Sequence, residues 1–249
     1  MTGTLEWDQP TASRNHFEFV VDSKKYMYSY VRKNGCSAFK KLIHGISPFA
    51  DNVEDAHVDL AFLRRHHTFD KSSDLNAFAA TIFVYRDPFE RLISAYTNKF
   101  VQQKGQEDIF ANYKKKLWRD PNKASFKKFV LSYCRSVENR DGHIRAQCDH
   151  LLPIRYNAVF PLHELYENMK LLIDPELADK YFARATNASH AQPPSEDLCR
   201  IPALQLHDTF LKTGRVPNKA DFYRDDLIAH CRKVYAKDYE MISRIQPTT

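Results

Sequence analysis

The sequence predicts an α/β fold: a single domain with a mainly parallel central sheet, flanked by helices and carrying P-loop-like strand-loop-helix sites for phosphate. Three observations lead there. Thr81 to Tyr85 is apolar and β-branched, as a buried strand requires, and Arg86-Asp87-Pro88 then stops it and opens a helix with proline in its first turn. A second unit of the same kind lies upstream, where Tyr26 to Val31 reads as a strand, Arg32 to Ser37 as a basic turn and Ala38 to Ile43 as the start of a helix. Farther on, Ile154 to Phe160 reads as a strand and Leu162 to Ile173 as a helix, so strands alternate with helices as in parallel sheets.

The helix after Arg86 carries Phe89, Leu92, Ile93, Tyr96 and Phe100 on one face, an amphipathic stripe that packs back on its own strand. A strand that ends in arginine with a helix N-terminus behind it can seat an anion, because guanidinium and free N–H groups converge there. Ser94 can offer a hydroxyl to the same anion. Two such turns imply a ligand with two anionic groups at the carboxyl ends of strands. The plain alternative is a pair of strand-turn-helix units with solvated basic turns.

Taken in order, residues 1–15 are polar and predict a flexible arm, leaving 16–249 as the domain. Lys40 and Lys41 fall in the early turns of the first helix, where the dipole disfavours cations unless an anion is bound nearby. Between the two turns, Arg64-Arg65-His66-His67-Thr68-Phe69-Asp70 gathers groups that bind anions and move protons. Lys114-Lys115-Lys116, beside Tyr113 and Trp118, fits either a groove for sugars or polyanions or a solvated helix face. Ser125 to Tyr133 predicts a short amphipathic helix, Asn187 to Asp197 a flexible loop, and Asp221 to Ile245 one long terminal helix.

Net charge is +6 with a sequence pI near 8.9, which favours anionic ligands but is too mild and too evenly spread to require nucleic acid. The cysteines, Cys36, Cys134, Cys148, Cys199 and Cys231, are odd in number and include no C-x-x-C, which argues against a disulfide framework and a metal site alike. The N-terminal stretch has no apolar run of signal-peptide or membrane-spanning length, so a cytoplasmic protein is expected.

Lys33-Asn34-Gly35-Cys36-Ser37-Ala38-Phe39-Lys40 resembles the 5′-phosphosulfate loop of the Golgi-type carbohydrate sulfotransferases and their bacterial relatives. Phe83 to Phe100 resembles their 3′-phosphate block, in which an arginine leads into aspartate or glutamate and proline, with a serine eight residues on. His143 with Gln147, the 156–164 segment and Tyr235 to Glu240 are weaker matches in the family's order. Arg32, Ser37 and Phe39 stand where the family has proline, threonine and tryptophan, keeping a hydroxyl and a ring.

The resemblance implies transfer of a sulfuryl group from 3′-phosphoadenosine 5′-phosphosulfate (PAPS) to a hydroxyl, most naturally on a carbohydrate or glycolipid, with no metal. It places the 5′ end of the donor at Arg32, Lys33, Asn34, Gly35, Cys36, Ser37, Ala38 and Lys40. It places the 3′-phosphate at Arg86 and Ser94, with Arg91 as a neighbour. A histidine upstream of the arginine serves as base in some members, which points to His67, with His66 as alternative and Glu54 in reserve. The animal enzymes' cysteine pairs are not evident downstream, which speaks against a secretory setting, and since the animal members are anchored in the Golgi membrane the expected cytoplasmic setting points to a bacterial type. Two rivals remain: a P-loop kinase or NTPase, which lacks G-x-x-x-x-G-K-[ST], and a non-catalytic polyanion binder.

Overall fold

The computed structural model of the chain describes residues 2–9, 15–50, 60–135, 142–183 and 197–247. The strands are β1 (Gly3–Glu6), β2 (His16–Val21), β3 (Lys24–Ser29), β4 (Phe78–Tyr85), β5 (Arg155–Pro161) and β6 (Gln246–Pro247). The helices are α1 (Cys36–Gly45), α2 (Leu60–His66), α3 (Pro88–Tyr96), α4 (Glu107–Leu117), α5 (Phe126–Lys128), α6 (Leu165–Leu172), α7 (Pro175–Phe182), α8 (Ala203–Thr213), α9 (Asp225–Val234) and α10 (Ala236–Ser243). The chain divides into two compact units of interleaved segments, one from 1–86, 147–188 and 241–249, the other from 87–146 and 189–240. Interleaving leaves no boundary that composition along the chain would show.

The first unit holds the sheet, in the order β2-β3-β4-β5-β1-β6. The expectation of a mainly parallel sheet is corrected: β3 pairs with β4 and β4 with β5 in parallel, but the β2–β3, β1–β5 and β1–β6 pairs are antiparallel. One edge is antiparallel for a local reason, whereas β1 joins the other edge through pairing with residues distant in sequence. Asp22 and Ser23, at φ 49° and 63°, form a tight turn that folds β2 directly back on β3. Within the expected flexible arm, Gly3–Glu6 is a strand paired to β5, with Leu5 buried at its centre.

One sheet face is apolar at alternate positions, with Phe17, Phe19, Tyr26, Tyr28, Ile82, Val84, Ala158 and Phe160 in a single core. Phe39, Leu42 and Ile43 of α1, Leu63 of α2, Met169 of α6 and Phe182 of α7 cover it. Tyr28 on β3 and Phe39 on α1 stack at 3.7 Å with an interplanar angle of 9°, which ties the ends of the intervening turn to the core.

In the second unit, α3 continues as a π-helical turn over Thr97–Val101, and its apolar face is buried as its spacing predicts. Phe89, Tyr96, Phe100, Phe126 and Phe129 form an aromatic core there. The predicted long terminal helix is broken: a 3₁₀ turn over Lys219–Phe222 precedes α9, and Tyr235 leaves helical geometry between α9 and α10. Tyr235 is buried, and its hydroxyl donates to the Ile144 carbonyl at 2.6 Å, a tether that holds the break. Lys114, Lys115 and Lys116 occupy the exposed last turn of α4, where cations suit the helix dipole. Among the described residues no helix is long and apolar enough to cross a membrane. Most of the 187–197 loop and all of Glu54's segment lie outside the described residues.

Candidate functional site

β3 and β4 are parallel neighbours, so the turns after Ser29 and Tyr85 leave the same end of the sheet about one strand spacing, ~4.8 Å, apart. Topology alone thus puts the two basic turns side by side.

The first turn is shaped by two left-handed residues. Lys33 has φ 74°, which costs a side-chain-bearing residue about 1–2 kcal/mol. Gly35 has φ 77°, and a Cβ there would stand 2.7 Å from Leu165 Cδ2 and 3.2 Å from Leu162 Cδ1, so conformation and space both require glycine. Gly35 is the N-cap of α1, with no side-chain cap and no acidic residue in the first turn. The Ala38 N–H turns back to the Gly35 carbonyl at 3.0 Å, and helix geometry directs the Cys36 and Ser37 N–H groups out of the helix start. Ser37 is exposed, and Lys40 is half-buried one turn on. Burial raises the Tyr30 hydroxyl pKa, as does the Cys36 thiol beside it, while Arg32 acts on the same hydroxyl in the opposite sense. An uncapped ten-residue helix start behind Arg32 and Lys33 is a place for an anion.

The second turn differs from its expected form. The Asp87 carboxylate accepts from the Glu90 N–H at 3.0 Å and caps α3 itself, which closes that helix start to a second anion. What remains is the Arg86 side chain, whose Nη1 donates to the Lys33 carbonyl at 3.3 Å. Arg86 is therefore in contact with the first turn.

Beneath both turns sit two fully buried amides. Asn34 Nδ2 donates to the Val84 carbonyl at 2.9 Å and to Gln147 Oε1 at 2.6 Å. Gln147 Oε1 also accepts from the Arg86 N–H at 3.0 Å, and its Nε2 donates to the Arg86 carbonyl at 2.8 Å. Gln147 stood in the sequence only as part of a weak match with His143. The available signal was the His143-x-x-x-Gln147 spacing, which names no partner.

Two of the other expected residues belong to the second unit. Ser94 is half-buried on α3. Arg91 is 1 % exposed, and its guanidinium donates to the carbonyls of Arg145 at 2.5 Å and Gly142 at 3.2 Å, so a buried cation is held by backbone oxygens. In that unit, a hollow of about 520 Å³ is lined by Tyr113, Arg119, Asp120, Lys123 and Lys128, and one of about 290 Å³ by Ser125, Lys127, Lys128, Leu131, Ser132 and Arg200, three cations in each.

His67 and His66 lie at the other end of α1 from the Lys33 turn. His67 Nδ1 donates to the Glu18 carbonyl at 3.1 Å, and Ser47 Oγ lies 2.8 Å from its Nε2. Ser47 follows the C-terminal end of α1, whereas Lys33 precedes its N-terminus, and ten helical residues put about 15 Å between them. His66 belongs to the same end, stacked on Phe49 at 4.8 Å. Burial lowers the pKa of His67, and the neighbouring His66 and His44 lower it further. The Arg64-to-Asp70 run reads as catalytic only while the direction of α1 is unknown.

A family model described as "Sulfotransferase family" matches residues 16–241 of the chain, from β2 into α10 and across both turns. The chain belongs to the Sulfotransferase family. Within it, carbohydrate sulfotransferase 14 of Mus musculus is 32 % identical over 121 residues, 43 % of this chain and 32 % of that protein. Carbohydrate sulfotransferase 14 of Danio rerio is 29 % identical over 152 residues, 57 % of this chain and 40 % of its own. Carbohydrate sulfotransferase 8 of Homo sapiens is 36 % identical over 90 residues, 33 % of this chain and 21 % of its own. The matched stretches thus span between 21 % and 40 % of the length of these curated relatives. No solved structure matches the chain significantly.

Proposed function

We propose that this chain transfers the sulfuryl group of PAPS to a hydroxyl of a carbohydrate or glycoconjugate. The supporting observation is the pairing at adjacent strand ends of an uncapped helix start behind Lys33 with Arg86, the two joined through the Lys33 carbonyl. A donor with phosphate at both its 3′ and 5′ positions needs two cationic seats at fixed spacing, and family membership supports PAPS as that donor. In the transfer, the acceptor oxygen forms a bond to sulfur as the bond from sulfur to the 5′-phosphate oxygen breaks. The electron pair stays on that oxygen, leaving 3′-phosphoadenosine 5′-phosphate. Lys33 neutralises the charge that develops there, the N–H groups of Cys36 and Ser37 hold the 5′-phosphate, and Arg86 holds the 3′-phosphate. The acceptor's proton leaves to a base other than His67 or His66, both of which are held at the far end of α1.

The carbohydrate acceptor rests on the names of the relatives. The test is incubation with radiolabelled PAPS and a panel of neutral and acidic glycans. Label on a glycan, with release of 3′-phosphoadenosine 5′-phosphate, is expected; nucleotide binding without label on any glycan would contradict the acceptor class.

A second reading, a polyanion-binding surface on the second unit, is favoured by the cation-lined hollows and by Trp118 beside them in sequence, 92 % exposed. Replacing Lys123 and Lys128 by glutamate should weaken binding to an acidic polysaccharide more than the same charge change at Lys114 and Lys115. Equal losses would reduce this surface to net charge.

A further inference from the structure

We infer that Gln147, through Asn34, is a positioning residue that couples the two anion seats, so that filling one strengthens the other. The inference rests on the donor reading above and extends it to a residue that cannot touch the donor. Gln147 and Asn34 are both 0 % exposed, so neither meets a ligand directly.

Three segments distant in sequence meet at one side-chain amide. Gln147 binds the N–H and the C=O of Arg86 as a neighbouring strand would, fixing the backbone from which that guanidinium projects. Its Oε1 also accepts from Asn34, the residue between left-handed Lys33 and left-handed Gly35, while the second Asn34 hydrogen goes to Val84. The same amide therefore sets the backbone on both sides, and Arg86 Nη1 closes the ring by holding the Lys33 carbonyl.

This arrangement has an internal cost. Asn34 Oδ1 is buried without a hydrogen-bond partner, and Lys33 keeps a disfavoured backbone. A loop that needed only to present a lysine would require neither. A loop that must keep Lys33 at a set distance from Arg86 requires a rigid link, and a phosphate at either seat that orders its turn orders the other through that link.

The experiment is a ligand cycle, by titration or displacement calorimetry, with adenosine, adenosine 3′-phosphate, adenosine 5′-phosphate and 3′-phosphoadenosine 5′-phosphate. It is run on the wild type, Gln147→Leu and Asn34→Ala. The readout is how much more a 3′-phosphate improves binding when the 5′-phosphate is present than when it is absent. Coupling of ordinary size gives a factor of about 5 or more in the wild type, falling towards 1 in both variants. A merely structural role for Gln147 would weaken all four ligands alike and leave the factor unchanged. Asn34→Ala keeps both Gln147 bonds to Arg86, so it carries the comparison should Gln147→Leu not fold. A factor of 1 in the wild type, or an unchanged factor in a folded variant, overturns the inference while the donor reading stands. A wild type that binds none of the phosphorylated ligands overturns both.

Discussion

Replacing Gly35 by alanine should damage stability and donor binding together, and the structure sets the size. At φ 77° an alanine pays the left-handed penalty of about 1–2 kcal/mol. Its Cβ would also stand 2.7 Å from Leu165 Cδ2, and Leu165 is buried in the core, so relief moves packed side chains at about 1–3 kcal/mol. The sum is about 2–5 kcal/mol, or a fall in Tm of roughly 4–20 °C for a chain of this size. Gly214 supplies the control, since it has φ 67° with nothing within 4 Å of a Cβ. Gly214→Ala should therefore show the conformational part alone. The assay is urea unfolding of both variants, with 3′-phosphoadenosine 5′-phosphate titrated well below either melting point. Gly35→Ala should be the less stable by at least about 1 kcal/mol and should bind the nucleotide more weakly, whereas Gly214→Ala should bind it normally. Equal destabilisation would refute the close approach of the turn to Leu165, and normal binding by Gly35→Ala would remove the turn from the donor site.

Lys33→Ala should lose turnover far more than nucleotide affinity, because charge on the leaving oxygen develops in the transition state; steady-state kinetics beside calorimetry separate the two, and a near-normal kcat would end that assignment. Arg86→Ala should weaken 3′-phosphoadenosine 5′-phosphate about tenfold or more and adenosine 5′-phosphosulfate distinctly less; equal losses would make the arginine purely structural. His67, with its folded pKa below the usual 6.5, stays neutral when the unfolded chain has begun to take up a proton. Its contribution to stability is therefore complete above about pH 6.5 and is lost as pH falls through its lowered folded value. Unfolding free energies measured across this range should show a decline that His67→Gln reduces, and an unchanged pH profile in that variant would contradict the buried, neutral ring.

The legible parts were those with strong local patterns. β4 and α3 were readable because an apolar run meets Asp87-Pro88 and a helical stripe follows, and the two basic turns were readable because basic residues interrupt such runs at strand ends. β1 is four residues long and is stabilised by pairing with residues some 150 positions away, which no local window reveals. The β2–β3 hairpin was missed because Asp22-Ser23 lacks the usual glycine, although both residues take left-handed geometry. With that hairpin unread, the parallel pairing at the centre was extended to the whole sheet. The place of the two histidines was not readable for a related reason, since a position between two basic turns in sequence says nothing about which end of α1 a later segment meets. Gln147 was invisible as a link because side-chain amides carry no periodicity, and its partners, Asn34 and Arg86, are 113 and 61 residues away.

Titration calorimetry of the wild-type protein with 3′-phosphoadenosine 5′-phosphate, against ATP with magnesium and an acidic polysaccharide, tests the donor site most directly. Saturable one-to-one binding of the bisphosphorylated nucleotide without added magnesium is expected, and it should be abolished when Lys33 and Arg86 are both replaced by alanine. Binding of ATP with magnesium but not of 3′-phosphoadenosine 5′-phosphate, or tight nucleotide binding that survives loss of both residues, would contradict it.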